Sequence, residues 1–192
     1  DGTLFGEALE RGVGYLLSRQ DGDGFIGRDL GPQHFMYSHA LATLALLENV
    51  ILADDRGILH RSAQQAVAAM LSAQLKDGAW GYTNDANREI GDGSITIWQL
   101  QALLTAREAD LEIDGKDLDA AIRKALQYIQ SLRNPRGLTA YDTYGRFQYG
   151  ACAMTAADLF IRGLAAPALS KADKQRLLDA GLELTTQADP ES

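Results

Sequence analysis

The sequence predicts an all-α protein assembled from antiparallel helix pairs, and three observations carry that prediction. Apolar residues recur at helical spacing in seven segments, and the β-branched alternation of strands is nearly absent. The helix ending Leu17-Ser18-Arg19-Gln20-Asp21-Gly22-Asp23-Gly24 also returns 54 residues later as Leu71-Ser72-Ala73-Gln74-Leu75-Lys76-Asp77-Gly78. Self-similarity at such a period marks a repeat protein.

The periodicity places helices at approximately 3–20, 36–53, 57–74, 94–109, 116–132, 149–164 and 171–187. Glycine or proline punctuates the gaps: Gly22, Gly24, Gly27 and Pro32 after the first, Gly78 and Gly81 after the third, Pro135 and Gly137 after the fifth, Pro167 after the sixth. Ser170, with Asp173 three residues on, fits the start of the seventh, because a hydroxyl there accepts from an unpaired amide. Helices one, three, five and seven carry charged residues on one stripe, as in Ala120-Ala121-Ile122-Arg123-Lys124-Ala125-Leu126-Gln127, the pattern of an outer helix with one wet face. Helices two, four and six are apolar around most of the circumference, which predicts an inner layer enclosed by neighbours.

Phasing the repeat on Gln20 and Gln74 sets Arg133 and Gln187 at the corresponding positions, in steps of 54, 59 and 54. One domain over 1–192 follows, with repeats approximately 1–54, 55–113, 114–168 and a partial 169–192. The chain begins without Met and without a signal-peptide pattern, so Asp1 reads as a fragment boundary.

Composition narrows the partners. The net charge is −8, from 26 acidic and 18 basic residues, and no stretch concentrates Lys or Arg into a patch that would neutralise a phosphate backbone, which argues against nucleic acid. The apolar stretch Ala40–Ala53 is interrupted by Thr43, Glu48 and Asn49 and falls short of the ~20 residues of a membrane span. A single cysteine, Cys152, excludes an internal disulfide and leaves the compartment open.

Gln74-x-x-x-Gly78-x-Trp80 resembles the QW-type motif of squalene-hopene and terpenoid cyclases, and Gln20-x-x-x-Gly24-Phe25 is a weaker version with its aromatic residue one position early. The runs Met36–Glu48, Asp77–Tyr82 and Asp92–Leu103 are similar to bacterial prenyltransferase and squalene-oxidase repeat proteins, over approximately residues 3–187. The resemblance implies an (α/α) toroid, in which Gln20, Gly24, Gln74, Gly78, Trp80 and Gln187 are structural: the amide bonds the next helix's backbone and the aromatic ring packs between repeats. It also implies a complete ring of about six helix pairs. This chain supplies about three and a half, an arc whose open ends call for self-association or for completion by flanking sequence.

If the resemblance holds, chemistry would sit where inner-helix ends face the ring's centre. Tyr37, His39, Asp92, Ser94, Trp98, Tyr141, Tyr144, Tyr149 and Cys152 are the pocket candidates by position, with Asp92 and His39 the weak catalytic ones. Each has a plainer role. His39 suits a hydrogen-bonded core group, Asp92 and Ser94 suit helix-start caps, the tyrosines suit packing, and Cys152 suits a small packed position. The catalytic signatures of the resembling enzymes are missing: no Asp-x-Asp-Asp acid motif, no Asp-Asp-x-x-Asp for magnesium, no Asp before Cys152 to complete a zinc set, since position 150 is Gly. Calcium at Asp21-Gly22-Asp23-Gly24 lacks the remaining loop ligands. No metal or cofactor is expected. The leading expectation is a non-catalytic binding or scaffolding module of a bacterial protein, its concave face accepting a protein segment or apolar small molecule. The alternative is an isoprenoid-type enzyme using the same face.

Overall fold

The computed structural model describes residues 4–31, 34–53, 57–85, 90–144 and 151–165. They form α1 (Leu4–Ser18), α2 (Phe35–Ala53), α3 (Ile58–Ser72), α4 (Gly93–Ala106), α5 (Gly115–Ser131) and α6 (Ala151–Ala165). Among the described residues the only β-type pairings are the isolated bridges Gln20–Ile26 and Arg133–Thr139, so the chain is all-α. The expected seventh helix, with Ser170 and Gln187, lies outside the described residues, as does Tyr149.

The helices lie in two rows. α4 packs between α2 and α6, while α3 lies against α2, α5 against α4, and α3 touches α5. α5 shows why the outer row is helical and amphipathic: Leu118, Ala121, Ile122, Ala125, Tyr128 and Ile129 are buried at helical spacing, and Asp114 caps the start by accepting from the Lys116 amide at 2.8 Å. α2, at 19 residues, has nearly the length and apolarity of a membrane span. Half of it is buried against α3 and α4, with His39 and Thr43 hydrogen-bonded inside, so it is a core helix.

Among the described residues the outer helices α1, α3 and α5 end in the same turn. The amides of Asp21, Leu75 and Asn134 each donate at 2.9 Å to the carbonyl four residues on, and Gly24, Gly78 and Gly137 all sit at positive φ, +91°, +94° and +79°. In the first two repeats the turn is docked on the next outer helix. Gln20 Nε2 donates to the carbonyls of Gly24 at 3.1 Å and of Ser62 at 2.9 Å, and Gln74 Nε2 donates to those of Gly78 at 3.0 Å and Ala121 at 2.9 Å. The glycine lies directly on that helix: a Cβ on Gly24 would fall 2.5 Å from the Gln65 carbonyl oxygen, and one on Gly78 would fall 2.4 Å from that of Lys124. Inner helices are joined by a second stitch, in which the Met36 amide donates to the Tyr82 carbonyl at 3.3 Å and the Gly93 amide to the Tyr141 carbonyl at 2.6 Å. Trp80 fills the space between, fully buried, with its indole N–H donating to the Met70 carbonyl at 2.8 Å. Ile26, not Phe25, occupies the place equivalent to Trp80; Phe25 instead packs edge-on against Phe35 at 5.5 Å.

The third repeat is built differently. Arg133, standing where glutamine stands in the first two, turns inward to Asp158 of α6 at 2.7 Å, and Asp158 also takes Arg162 at 2.5 Å and the Thr139 hydroxyl at 2.9 Å. Asp158 is fully buried and both guanidinium groups are nearly so. At the matching register α2 carries Ala42 and Leu46, and α4 carries Gln99 and Leu103, all buried.

Gln74→Ala removes both amide bonds of one junction and is expected to lower stability by about 1–3 kcal/mol in urea denaturation. Gly78→Ala is expected to cost more than the ~1–2 kcal/mol of left-handed strain alone, because the new Cβ meets helix backbone that cannot swing aside. Asp158→Ala is expected to cost about 3–5 kcal/mol by the same measurement, since it leaves two buried guanidinium groups without their carboxylate.

Candidate functional site

α4 begins at Asp92, whose extended backbone lets its Oδ1 accept from the amides of Ser94 at 2.9 Å and Ile95 at 3.1 Å. The same oxygen accepts from the Ser94 hydroxyl at 2.5 Å, and Oδ2 accepts from the Tyr82 hydroxyl at 3.2 Å. The Ser94 oxygen, its proton committed to Asp92, accepts in turn from the Tyr37 hydroxyl of α2. Tyr37, Ser94, Asp92 and Tyr82 thus form one hydrogen-bonded chain across the starts of two inner helices. Burial and the nearby Asp92 carboxylate raise the Tyr37 pKa above the ordinary phenol value against the opposing Ser94 bond, so Tyr37 stays protonated and acts as a donor. The Tyr37 and Tyr82 rings lie 6.2 Å apart, and the His34 ring lies 5.1 Å from that of Tyr82.

One turn further along α4, Trp98 is 38% exposed although α2, α5 and α6 surround that helix. Its register equivalent on α2, fixed by the Tyr37–Ser94 bond, is Leu41, 45% exposed. Two more turns on, Glu48 of α2 is exposed at the register of the half-buried Thr105. The inner row therefore presents a stripe of exposed and half-buried side chains, Tyr37, Leu41 and Glu48 on α2 beside Trp98 and Thr105 on α4. α2 and α4 contain no Lys or Arg.

The other sequence candidates fall elsewhere. His39 is fully buried, about half a turn from Tyr37 and so inside the layer, where its Nδ1 accepts from the Ile26 amide at 3.1 Å. The equivalent bonds in the next repeats are made by threonine: Trp80 N–H to Thr96 Oγ1 and Thr139 N–H to Thr155 Oγ1, both 3.0 Å. His39 holds a turn against an inner helix. Desolvation lowers its pKa to about 4, outweighing the Ala66 backbone carbonyl and the Asp21 charge, both of which favour the protonated ring, so the ring is neutral near pH 7. Tyr141 is half-buried against the core and meets α4 through its carbonyl, whereas Tyr144 is 71% exposed. Cys152, expected to be packed, is exposed: the Ala-rich start of α6 presents it on a side that no described element covers.

Two features escaped the sequence reading. Tyr82 was legible only as the end of Ala79-Trp80-Gly81-Tyr82, and its role depends on a carboxylate ten residues away being brought back by the turn. The Arg133–Asp158–Arg162 set had one local signal, an Asp and Arg four residues apart in an apolar helix. At the Asp21-Gly22-Asp23 turn, Arg28 reaches both carboxylates, at 2.7 and 2.6 Å, and fills the place a bound cation would take. Among the described residues no group of His, Cys, Asp and Glu side chains is arranged to hold a metal.

The depressed His39 pKa sets a pH window. An unfolded chain takes up a proton near pH 6.5 and the folded one only near pH 4, so this contribution is fully present above 6.5 and is lost as pH falls from 6.5 to 4, by up to about 3 kcal/mol. Denaturation midpoints measured across that range are expected to fall in the native chain. His39→Thr, which installs the side chain used by the other two repeats, is expected to flatten that part of the profile.

No family model, curated protein or solved structure matches the chain at a significant level.

Proposed function

We propose that the chain is a non-catalytic binding or scaffolding module, an arc of a terpenoid-cyclase-like (α/α) toroid of bacterial type, whose ligand lies along the open stripe of α2 and α4. The observation that carries this reading is the state of Asp92. Its carboxylate accepts four hydrogen bonds, two of them from the first amides of α4, and it is 8% exposed. A carboxylate committed in this way caps a helix and holds Tyr82 directly and Tyr37 through Ser94, which is a structural use of every hydrogen bond it accepts. His39, the other acid–base candidate, is neutral, buried and bonded to a turn. Tyr37, Leu41 and Trp98 then supply contact area on a rigid scaffold, which is what a binding face requires.

An isoprenoid-type enzyme is the second reading, and one observation favours it: the Tyr37–Ser94–Asp92 chain ends in a phenolic donor beside a second aromatic ring. Incubation with squalene and with an isoprenoid diphosphate discriminates between the two. The binding-module reading expects no product from the native chain, and expects Asp92→Ala to lower the thermal midpoint through loss of the cap. Turnover that disappears in Asp92→Ala would overturn it.

A further inference from the structure

We infer that the free face of α1 is a docking strip for a further helical unit, one whose outer helix ends in its own Gln-x-x-x-Gly turn. The hydroxyls of Ser18, Ser72 and Ser131 each donate to the carbonyl three residues back, and so put α1, α3 and α5 in one register in which Tyr15, Ala69 and Tyr128 are equivalent. On α3 and α5 this register shows what the strip receives. The turn of the preceding unit lies, through its glutamine amide and its glycine, on the carbonyls of Ser62 and Gln65 in one case and of Ala121 and Lys124 in the other. The equivalent carbonyls on α1 belong to Ala8 and Arg11, and both residues are exposed.

Two observations mark this strip as an acceptor without its donor. The first is exposure at positions that are core elsewhere. Leu9 is 52% exposed and Tyr15 50%, whereas Ile122 and Tyr128, at the same places on α5, are 3% exposed each. Tyr128 is covered by the chain that continues from the docked turn, since a Cβ on Gly91 would lie 3.1 Å from its hydroxyl. Tyr15 offers the same ring in the same register. The second observation is Gly12. Glycine in a helix interior costs stability, yet a Cβ at position 12 would meet nothing within 4 Å, so the described chain makes no use of it. Its equivalents Ala66 and Ala125 are fully buried at the docked junctions, where a small residue lets another backbone approach.

The occupant follows from which turns are already engaged. Those of Gln20 and Gln74 are docked within the chain, on α3 and α5. In the third, Arg133 stands in place of glutamine and is held by the buried Asp158 at 2.7 Å. The sequence repeats the glutamine once more at Gln187, but with Glu191 where the glycine is required. The donor that fits α1 is therefore a separate unit of the same construction, not a second copy of this chain. Docked there, its inner helix continues the row of α2, α4 and α6 past α2.

The test supplies such a donor in register. Asp1-Gly2 corresponds to Asp114-Gly115 at the start of α5, so residues 55–113 joined directly ahead of Asp1 of the complete chain reproduce the native spacing from a Gln–Gly turn to the helix that receives it. Hydrogen exchange of the α1 amides from Leu9 to Tyr15 is compared by mass spectrometry in the fusion and in the chain alone. Exchange is expected to be at least tenfold slower in the fusion. Gln74→Ala or Gly78→Ala in the added unit, and Gly12→Leu in α1, are each expected to erase most of that difference. In the chain alone Gly12→Leu is expected to leave the circular dichroism unchanged, because position 12 opens on free space. Equal exchange in the fusion and the chain overturns the inference. Slowing that survives both Gly78→Ala and Gly12→Leu overturns it as general shielding by an attached domain. A stable dimer of the chain alone, detected by sedimentation and slowing the same amides, overturns it in favour of a second copy.

Discussion

The architecture depends on one contact repeated along the outer layer, the docking of a glycine turn onto the backbone of the next outer helix. Two elements of this sequence make it possible. A glycine supplies the left-handed conformation and leaves no Cβ where the neighbouring carbonyl sits. A glutamine at the helix end ties the turn to itself and to that neighbour with one amide. Either alone would be weak; together they fix the distance between consecutive outer helices to within the length of a hydrogen bond. The inner helices inherit their spacing, because their first amides are stitched to the strand-like residues that follow the same turn, Tyr82 and Tyr141. The register of Leu41 beside Trp98 follows from that spacing.

Much of this was legible in the sequence, for a physical reason. Helical periodicity and the Gln-to-Gly spacing are local signals, so six of the seven expected segments appear with ends within a few residues of their expected places. Asp92 as a cap was legible for the same reason. What needed the structure were the relations between repeats. The connection into α2 is three residues shorter than those into α4 and α6, counted from Gln20 to His39 and from Gln74 to Thr96, and this shortening sets His39 in a threonine's place. No pattern within the first repeat announces it. Cys152 shows the converse error: a small residue among alanines reads as packed, but packing needs a neighbour on that side.

The same three-fold comparison separates scaffold from surface. Positions 39, 96 and 155 each satisfy a turn amide and are buried, while the register-equivalent positions 41 and 98 are exposed and carry Leu and Trp; the third, Ala157, is half-buried against the core. A repeat protein diversifies where its fold is indifferent.

The ionic set of the third repeat has a consequence for order. The first two repeats meet the next outer helix through a glutamine amide and carry no ion pair at the register of the trio, where Ala42 and Leu46 stand in one and Gln99 and Leu103 in the other. Arg133, Asp158 and Arg162 are not interchangeable with Gln20, Ala42 and Leu46 or with Gln74, Gln99 and Leu103, because moving any one of them to another repeat's place would strand a buried charge. A chain folding with its units shifted by one would meet that penalty at once. The trio thus makes the third junction chemically distinct from the first two, which carry no charge at that register.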